Sequence, residues 1–172
     1  MRRLSFAMPG TLPDLKVLDA EPGAFWMGGW NSVNVVVWLR SADLNTVQRI
    51  ERALVERIKL FPKMSSVHIV AGGAGPPQPD AKDALVEMNE RLADSVACGA
   101  VVMERGGIVG VALRSAVTGI IIMAPKHYRI KVFDALEPCA PWVVEHHGKS
   151  AGIQLEPDEL LQVLSKSREL AR

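Results

Sequence analysis

The stretch Tyr128–Val144, YRIKVFDALEPCAPWVV, combines the two periodicities on which an α/β fold depends. Its first part alternates between apolar and polar residues, which predicts a strand over residues 128–133. Asp134 then offers an N-cap, with Glu137 at the capping-box position, so a helix is predicted to run to about His147. A strand followed directly by an amphipathic helix is the repeating unit of α/β proteins.

The residues upstream of this stretch repeat the strand–helix alternation. Two β-rich runs, at residues 25–30 and 33–40, predict a hairpin with a bulge at Gly28-Gly29, and the second strand should be covered on both faces. The further predicted elements are a helix capped by Asp43 and ending at Phe61, a strand over residues 66–71, a helix capped by Asp80 and running to about residue 95, a strand over residues 97–104 and a helix over residues 108–123. We therefore predict an α/β fold with a mixed, mostly parallel sheet and packed helices.

The chain is expected to have three parts. Residues 1–14 suit an irregular N-terminal lead-in, residues 15–148 the α/β domain, and residues 149–172 a C-terminal helical extension. Gly148–Gly152 is expected to break the preceding helix. The extension carries a leucine stripe that has to be buried against something.

The strand that ends in Phe133 and the helix after it resemble the STAS-like, or SpoIIAA-like, domains. In that family a small residue follows the phenylalanine by six positions, and a tryptophan and an aliphatic residue come next. Here those positions hold Cys139, Trp142 and Val143. The strand Cys98–Met103 also resembles the family's A-V-V strand.

The resemblance covers about residues 15–147 and implies a STAS-like fold and a non-enzymatic interaction or regulatory module. The related anti-sigma-factor antagonists carry a phosphorylatable serine at the start of their second helix. The corresponding region here reads PPQPDAKDAL, and no Ser or Thr occurs from Gly72 to Val86. Phosphorylation at that position is therefore not expected.

Composition argues against two classes of partner. Twenty basic and nineteen acidic residues give a formal net charge of +1, which supplies no strong field for nucleic acid or an anionic membrane. One tyrosine and four phenylalanines leave few platforms for stacking bases. The N-terminal MRR is not followed by the apolar region of a signal peptide, and no run is long enough for a membrane span. A cytoplasmic protein without a nucleic-acid partner is predicted.

The residue types of metal and catalytic sites lack the usual spacing. Cys98 and Cys139 lie in separate apolar stretches and are predicted to be buried, reduced thiols. His68 is predicted to be a core or edge histidine satisfied by hydrogen bonds, and His146-His147 to complement the dipole at a helix end. No cofactor, metal or catalytic residue is predicted, and an enzyme using His127 or Cys98 is the weakest functional hypothesis.

The first candidate binding region is the loop Gly72–Gln78 with the helix start after it. It lies at the sheet end where α/β proteins place ligands, and its prolines limit the entropy lost on binding. An ordinary connection is the alternative, and a nucleotide site is disfavoured because the Lys and Ser/Thr of a P-loop are missing. The residues expected to contact a protein partner are Gly73, Gly75, Gln78, Asp80 and Lys82.

The second candidate is the apolar run Ile120, Ile121, Ile122 and Met123. Four large apolar residues in a row cannot all face one core, so the helix end is either buried or exposed for self-association, a partner or a lipid-like ligand. Since the helix over residues 108–123 is apolar all round, both its faces are expected to be covered. The main hypothesis is an interaction module. The alternative is a small apolar ligand between this helix and the sheet, which requires an apolar cavity of a few hundred Å³.

Overall fold

The structure is a computed structural model that describes residues 14–104 and 107–172. The predicted lead-in, apart from Asp14, lies outside these residues. The strands are β1 (Lys16–Glu21), β2 (Phe25–Trp30), β3 (Val33–Trp38), β4 (Met64–Val70), β5 (Val96–Met103) and β6 (Ile130–Phe133). The helices are α1 (Leu44–Leu60), α2 (Pro79–Leu92), α3 (Gly107–Met123), α4 (Leu136–Ala151) and α5 (Pro157–Leu170). The predicted α/β class with a mixed sheet is confirmed.

The strands lie in the sheet in the same order as along the chain. β1, β2 and β3 pair antiparallel, and β3, β4, β5 and β6 pair parallel. Helical crossovers between parallel strands are almost always right-handed, and each one here leads to the next strand in the same direction. Residues of α1, α2 and α3 accordingly pack on one face of the sheet, and those of α4 and α5 on the other.

The central strand β3 is covered on both faces, as predicted. Val33, Val35 and Val37 belong to the apolar cluster that contains α4 and α5. Val36 and Trp38 belong to the cluster that contains α1 and α2. Full burial of each such side chain contributes about 1.5–3 kcal/mol, which makes β3 a main source of stability.

Gly28 makes room for an indole ring. A Cβ built on Gly28 would lie 2.2 Å from the ring of Trp26, so any larger residue would displace that ring. The irregularity in strand pairing is found on β1, between Val17 and Asp19, opposite Gly28 and Met27. The bulge predicted at Gly28-Gly29 therefore lies on the neighbouring strand.

Of the predicted helix caps, the one on α1 is confirmed. The Asp43 carboxylate accepts a hydrogen bond from the backbone N–H of Thr46 at 2.8 Å. The prediction for α2 is wrong, because Gln78 is the N-cap residue and Pro79 begins the helix. Asp80 lies inside the first turn, where its charge favours the helix dipole without capping it.

The predicted start of α4 is also wrong, and its predicted end near His147 is early, although the helix stops within the predicted break Gly148–Gly152. Ala135, not Asp134, precedes the helix, and the Asp134 carboxylate instead pairs with Arg114 of α3. At the other end α4 continues to Ala151 and stops where Gly152 adopts a left-handed conformation with φ +70°. Gly148 lies within the helix, because a single glycine costs only about 1 kcal/mol there and packing offsets it.

The C-terminal segment is part of the core. Leu160, Val163 and Leu164 of α5 are fully buried and share an apolar cluster with Trp26, Trp30 and residues of α4. Of the predicted stripe, Leu160 and Leu164 are buried and Leu161 is partly buried, whereas Leu170 is 48% exposed. The proposed boundary between residues 148 and 149 falls inside α4.

α3 is covered on one face only, contrary to the prediction for an all-round apolar helix. Leu113 and Ile120 point inward and are buried, whereas Ile108, Val111 and Ile122 are 90%, 70% and 75% exposed. None of the described elements packs over this outer face. Over the described residues, α3 and the other helices are too short or too polar to cross a bilayer.

Candidate functional site

A cavity of about 100 Å³ lies between the sheet and helices α2 and α3. Its floor is formed by β3, β4 and β5, and the loop after β4 closes one end. The floor is recessed at Gly99 of β5, which faces the cavity without a side chain. Most of the wall is apolar and includes Val70, Leu85, Met88, Leu113, Val117 and Ile120.

His68 of β4 lies on the cavity floor and is hydrogen-bonded at both ring nitrogens. Trp38 Nε1–H donates to His68 Nδ1 at 3.2 Å, and Ser66 Oγ lies 3.2 Å from Nε2. An indole N–H can only donate, so Nδ1 must carry a lone pair. The proton of the neutral ring is therefore on Nε2, which donates to Ser66. The predicted hydrogen bonding of His68 is confirmed.

The His68 ring is neutral at physiological pH. Burial lowers its pKa from 6.5 to about 4, since the surrounding protein solvates an imidazolium poorly. The ring keeps some accessible surface because it lines the cavity. Protonation would also place a second N–H at Nδ1 against the donor of Trp38, which disfavours the charged form further.

The Ser66–His68 pair is not arranged as a nucleophile and its base. In a serine–histidine dyad, the nitrogen facing the serine has to accept the hydroxyl proton. Here that nitrogen already carries a proton, and the lone pair on the other nitrogen is used by Trp38. The lowered pKa of His68 weakens it further as a base. His68 therefore forms a polar part of the floor, and Ser66, which does not line the cavity, holds its ring.

Tyr128 lies over Gly99 and supplies a hydroxyl to the cavity. A Cβ built on Gly99 would lie only 2.9 Å from the Tyr128 hydroxyl oxygen, so a side chain at this position would push the ring away. Burial raises the pKa of Tyr128 well above its usual value, so the hydroxyl stays protonated. Within residues 14–104 and 107–172 this hydroxyl has no hydrogen-bond partner. It is a donor available to a ligand.

Two other polar side chains contribute to the cavity wall. Asn89 of α2 is half-buried, and its amide has no hydrogen bond within the described ranges. Arg40 lies after β3 and is paired with Glu21 at 3.1 Å and Asp43 at 3.0 Å. It is the one charged side chain among the described residues that line the cavity, and it is already neutralised by these carboxylates.

The predicted partner-binding loop forms one end of the cavity. Of its candidates only Gly75 lines the cavity, and its backbone N–H donates to Ser41 Oγ at 3.2 Å. Lys82 lies against α3, with Nζ 3.6 Å from a Cβ built on Gly119. The candidates that are exposed and outside the cavity are Gly73, Gln78, Asp80 and Lys82. Contact of this loop with a partner stays a prediction.

The apolar run at the end of α3 is divided between two environments. Ile120 and Ile121 line the cavity, whereas Ile122 and Met123 are 75% and 60% exposed. Because successive residues on a helix point about 100° apart, a run of four has to face both inward and outward. The helix end is thus at once a cavity wall and an apolar surface.

The opposite face of the sheet contains a second buried histidine. His147 Nε2 and Nδ1 each lie 2.8 Å from a serine hydroxyl, those of Ser32 and Ser65. The ring is fully buried, and burial lowers its pKa. The predicted role at a helix end is wrong for His147, since α4 continues beyond it.

The two cysteines are buried free thiols, as predicted. Burial raises the pKa of Cys98 to about 11 and that of Cys139 to about 12, so both stay protonated at neutral pH. Cys98 Sγ lies 3.2 Å from Ser65 Oγ in the interior. Neither side chain is exposed to a substrate.

The remaining sequence candidates for chemistry lie apart. His127 is on the surface, with Nε2 3.2 Å from Asp94 Oδ1, and does not line the cavity. In the described part of the chain, no group of three or more His, Cys, Asp or Glu side chains is placed to hold a metal ion.

Comparison with protein-family models, with curated proteins and with solved structures finds no match to this chain. The STAS-like resemblance thus depends on the residues of the chain alone. The site has to be interpreted from its own geometry and chemistry.

Sequence reasoning located the helical wall of the cavity but missed its polar floor. Trp38 and His68 belong to neighbouring strands, and Tyr128 precedes a third, so only the sheet brings them together. One signal was present: Ser66 and His68 share one face of an apolar strand, because side chains two residues apart point the same way. The single tyrosine of the chain gave no such signal.

Proposed function

We propose that this protein binds a small apolar molecule in the cavity between α3 and the sheet. The observation that carries the proposal is the combination of apolar walls on α2 and α3 with a hydrogen-bonded floor at His68. Binding sites for small molecules are concave and mostly apolar, with a few placed polar groups. The cavity is smaller than the few hundred Å³ expected for drug-sized ligands, so the ligand has about the size of benzene.

A non-enzymatic role is part of the proposal. It is supported by the tautomer of His68, which offers no lone pair to Ser66, and by the full burial of the Cys98 side chain. Binding would raise the free energy of unfolding by RT ln(1 + L/Kd), where L is the free ligand concentration and Kd the dissociation constant.

The test uses benzene as the probe and ¹H–¹³C methyl NMR as the readout. We expect benzene to shift the methyl signals of cavity residues such as Met88 and Ile120 in the wild-type protein. Val117→Phe places an aromatic ring in the cavity and should abolish these shifts. Val55→Phe is the matched control, because Val55 is 42% exposed on α1, far from the cavity wall.

Two outcomes would contradict ligand binding at this site. One is the absence of methyl shifts in the wild-type protein at the solubility limit of benzene. The other is an equal response in Val117→Phe, which would place the benzene elsewhere. Retained shifts in Val55→Phe show that the loss depends on the position of the new ring.

The second candidate function is that of a STAS-like interaction module, and the occupant we propose is a second copy of the chain. Support for the fold assignment comes from Phe133 and Trp142, whose rings contact edge to face at 5.6 Å as neighbouring strand and helix residues. Support for association comes from the outer face of α3, where large apolar side chains are exposed. If the outer faces of α3 from two copies paired, the exposed apolar side chains of both copies would be buried at once.

Sedimentation velocity at tens of micromolar protein tests this second function. We expect a dimer that Ile122→Lys converts to monomer, because the charge would be buried at the interface. Val55→Lys is the control and should leave the dimer intact. A monomeric wild-type chain would refute self-association through α3.

A further inference from the structure

We propose that the ligand of the α3 cavity is a neutral molecule with one hydrogen-bond acceptor, which accepts from the Tyr128 hydroxyl. This inference depends on the proposed function, because it specifies the ligand of the same site. It follows from which polar groups around the cavity are already paired and which are not.

The Tyr128 hydroxyl is the unpaired donor beside the recessed part of the floor, and the other unpaired polar group is the Asn89 amide in the α2 wall. Its ring is enclosed by protein and its oxygen lies over Gly99 on the recessed part of the floor. Within the described ranges no protein atom accepts from it. Every fully buried polar side-chain atom of the described residues has a partner, so the unpaired hydroxyl keeps some accessible surface. An apolar ligand would cut it off from water without offering an acceptor, so a ligand that supplies one binds more tightly than an equally shaped apolar ligand.

The other polar groups of the floor offer nothing more. Trp38 Nε1–H donates to His68, and the remaining His68 N–H donates to Ser66. Both ring nitrogens of His68 are thus occupied, and the indole has no second donor. A second polar group on this side of the ligand would have no partner and would lower its affinity.

The ligand should carry no charge. Arg40 is the charged residue among the described lining residues, and Glu21 and Asp43 already neutralise it. An anionic ligand would lose its hydration without gaining a free counter-ion, which disfavours carboxylates and phosphates. A cationic ligand would likewise meet no unpaired carboxylate in the described wall.

Two probes of nearly the same shape test whether the ligand needs a hydrogen-bond acceptor. Cyclopentanone and methylenecyclopentane have the same ring and differ in a carbonyl oxygen against a methylene group. Their dissociation constants are measured by methyl NMR in the wild-type protein, in Tyr128→Phe and in Asn89→Leu. Asn89→Leu removes the unpaired side-chain amide of the wall without changing side-chain length.

We expect Tyr128→Phe to raise the dissociation constant of cyclopentanone about threefold to tenfold, the effect of one hydrogen bond. The constant for methylenecyclopentane should change less than about twofold. Asn89→Leu should leave both constants within about twofold. Cyclopentanecarboxylate should bind much more weakly than the ketone.

A second measurement needs no variant. Tyr128 is the only tyrosine, so a ¹³Cζ-tyrosine label gives a single signal. Cyclopentanone should shift that signal through hydrogen bonding to the hydroxyl, and methylenecyclopentane should shift it much less.

The outcomes distinguish the two proposals. If both probes bind in the cavity but the ketone is insensitive to Tyr128→Phe, or sensitive to Asn89→Leu instead, the assignment of Tyr128 is overturned and ligand binding stands. Binding of the carboxylate as tightly as the ketone overturns the neutrality of the ligand. If neither probe perturbs the cavity methyls, the proposed function itself fails.

Discussion

Individual residues in this protein show how burial and hydrogen bonding set the state of a side chain. His68 and His147 are both neutral and held by hydrogen bonds on both ring nitrogens, but they lie on opposite faces of the sheet. His68 borders a cavity, whereas His147 of α4 is fully buried against Ser32 in the β2–β3 turn and Ser65 of β4. The same residue type thus forms part of a site in one case and part of the core in the other.

The low pKa of His68 predicts that acid destabilises the fold. Between pH 6.5 and about 4 the unfolded chain binds a proton at this residue and the native chain does not. The free energy of unfolding should therefore fall as pH decreases through this window, by at most about 3 kcal/mol, and should be unaffected by His68 above it. Urea unfolding of wild type and His68→Gln across this range measures the effect. A difference between the two that does not vary with pH would contradict it.

Replacing His147 should be more damaging than replacing an exposed histidine. His147→Ala leaves the Ser32 hydroxyl unpaired, removes one of the two partners of the Ser65 hydroxyl and opens a cavity in the core, so a loss of about 3 kcal/mol in unfolding free energy is expected. His127→Ala is the control, since His127 is 61% exposed, and it should change stability by less than about 0.5 kcal/mol. Urea unfolding at pH 8 compares the two. Equal effects would show that the buried network contributes nothing.

At the scale of elements, helix ends are determined by more than the presence of a capping residue. Asp43 caps α1, whereas Asp80 and Asp134, chosen by the same rule, do not cap α2 and α4. Pro79 begins α2 with Gln78 as its N-cap, so Asp80 lies inside the first turn. Asp134 forms an ion pair with Arg114 of α3 instead of capping α4. A local signal predicts a helix start only where no competing partner intervenes.

The two aspartates therefore predict different mutational effects. Asp43→Ala removes an N-cap hydrogen bond and should lower the free energy of unfolding by about 1 kcal/mol. Asp80→Ala removes a dipole interaction and the hydrogen bond that the carboxylate accepts from the adjacent Ala81 N–H, but no N-cap, and should lower it by less than about 0.5 kcal/mol. Chemical denaturation of both variants gives the comparison. A larger effect at Asp80 would mean that the cap of α2 is assigned wrongly.

α3 is the element whose sequence and structure diverge most. Its apolar composition predicts burial on both sides, but only the inner side packs, against the cavity and α2. Periodicity alone cannot reveal this, because a helix that is apolar all round has no stripe to indicate its inner face. Because its outer side is exposed, α3 is both a wall of the cavity and a candidate surface for self-association.

At the scale of the whole molecule, the sheet separates two helix layers with different properties. The layer of α1, α2 and α3 contains the cavity, and the layer of α4 and α5 encloses a closely packed core with His147 inside. α5 completes this second layer, since it contacts β2, β3 and α4. The C-terminal segment therefore contributes to the stability of the sheet as a whole.

Because α5 is packed into the core, shortening one of its buried side chains should strongly lower the free energy of unfolding. Leu164 is fully buried, so Leu164→Ala should cost about 2–5 kcal/mol and shift one cooperative unfolding transition. Leu170, which is 48% exposed on the same helix, is the control and should cost less than about 0.5 kcal/mol when replaced by alanine. Thermal unfolding followed by circular dichroism measures both. Two separate transitions, with only one affected, would show an independent C-terminal unit.

The sequence by itself determined the α/β class, the order of strands and helices from β2 onward, the doubly covered strand β3 and the burial of both cysteines. These follow from hydrophobic periodicity and composition, which act over a few residues at a time. The tertiary structure decided that α5 belongs to the core, that α3 is covered on one side, and that Trp38, His68 and Tyr128 meet around one cavity. The physical reason is that pairing of distant strands and the direction of crossovers bring residues together across long sequence separations, and no local pattern records such contacts.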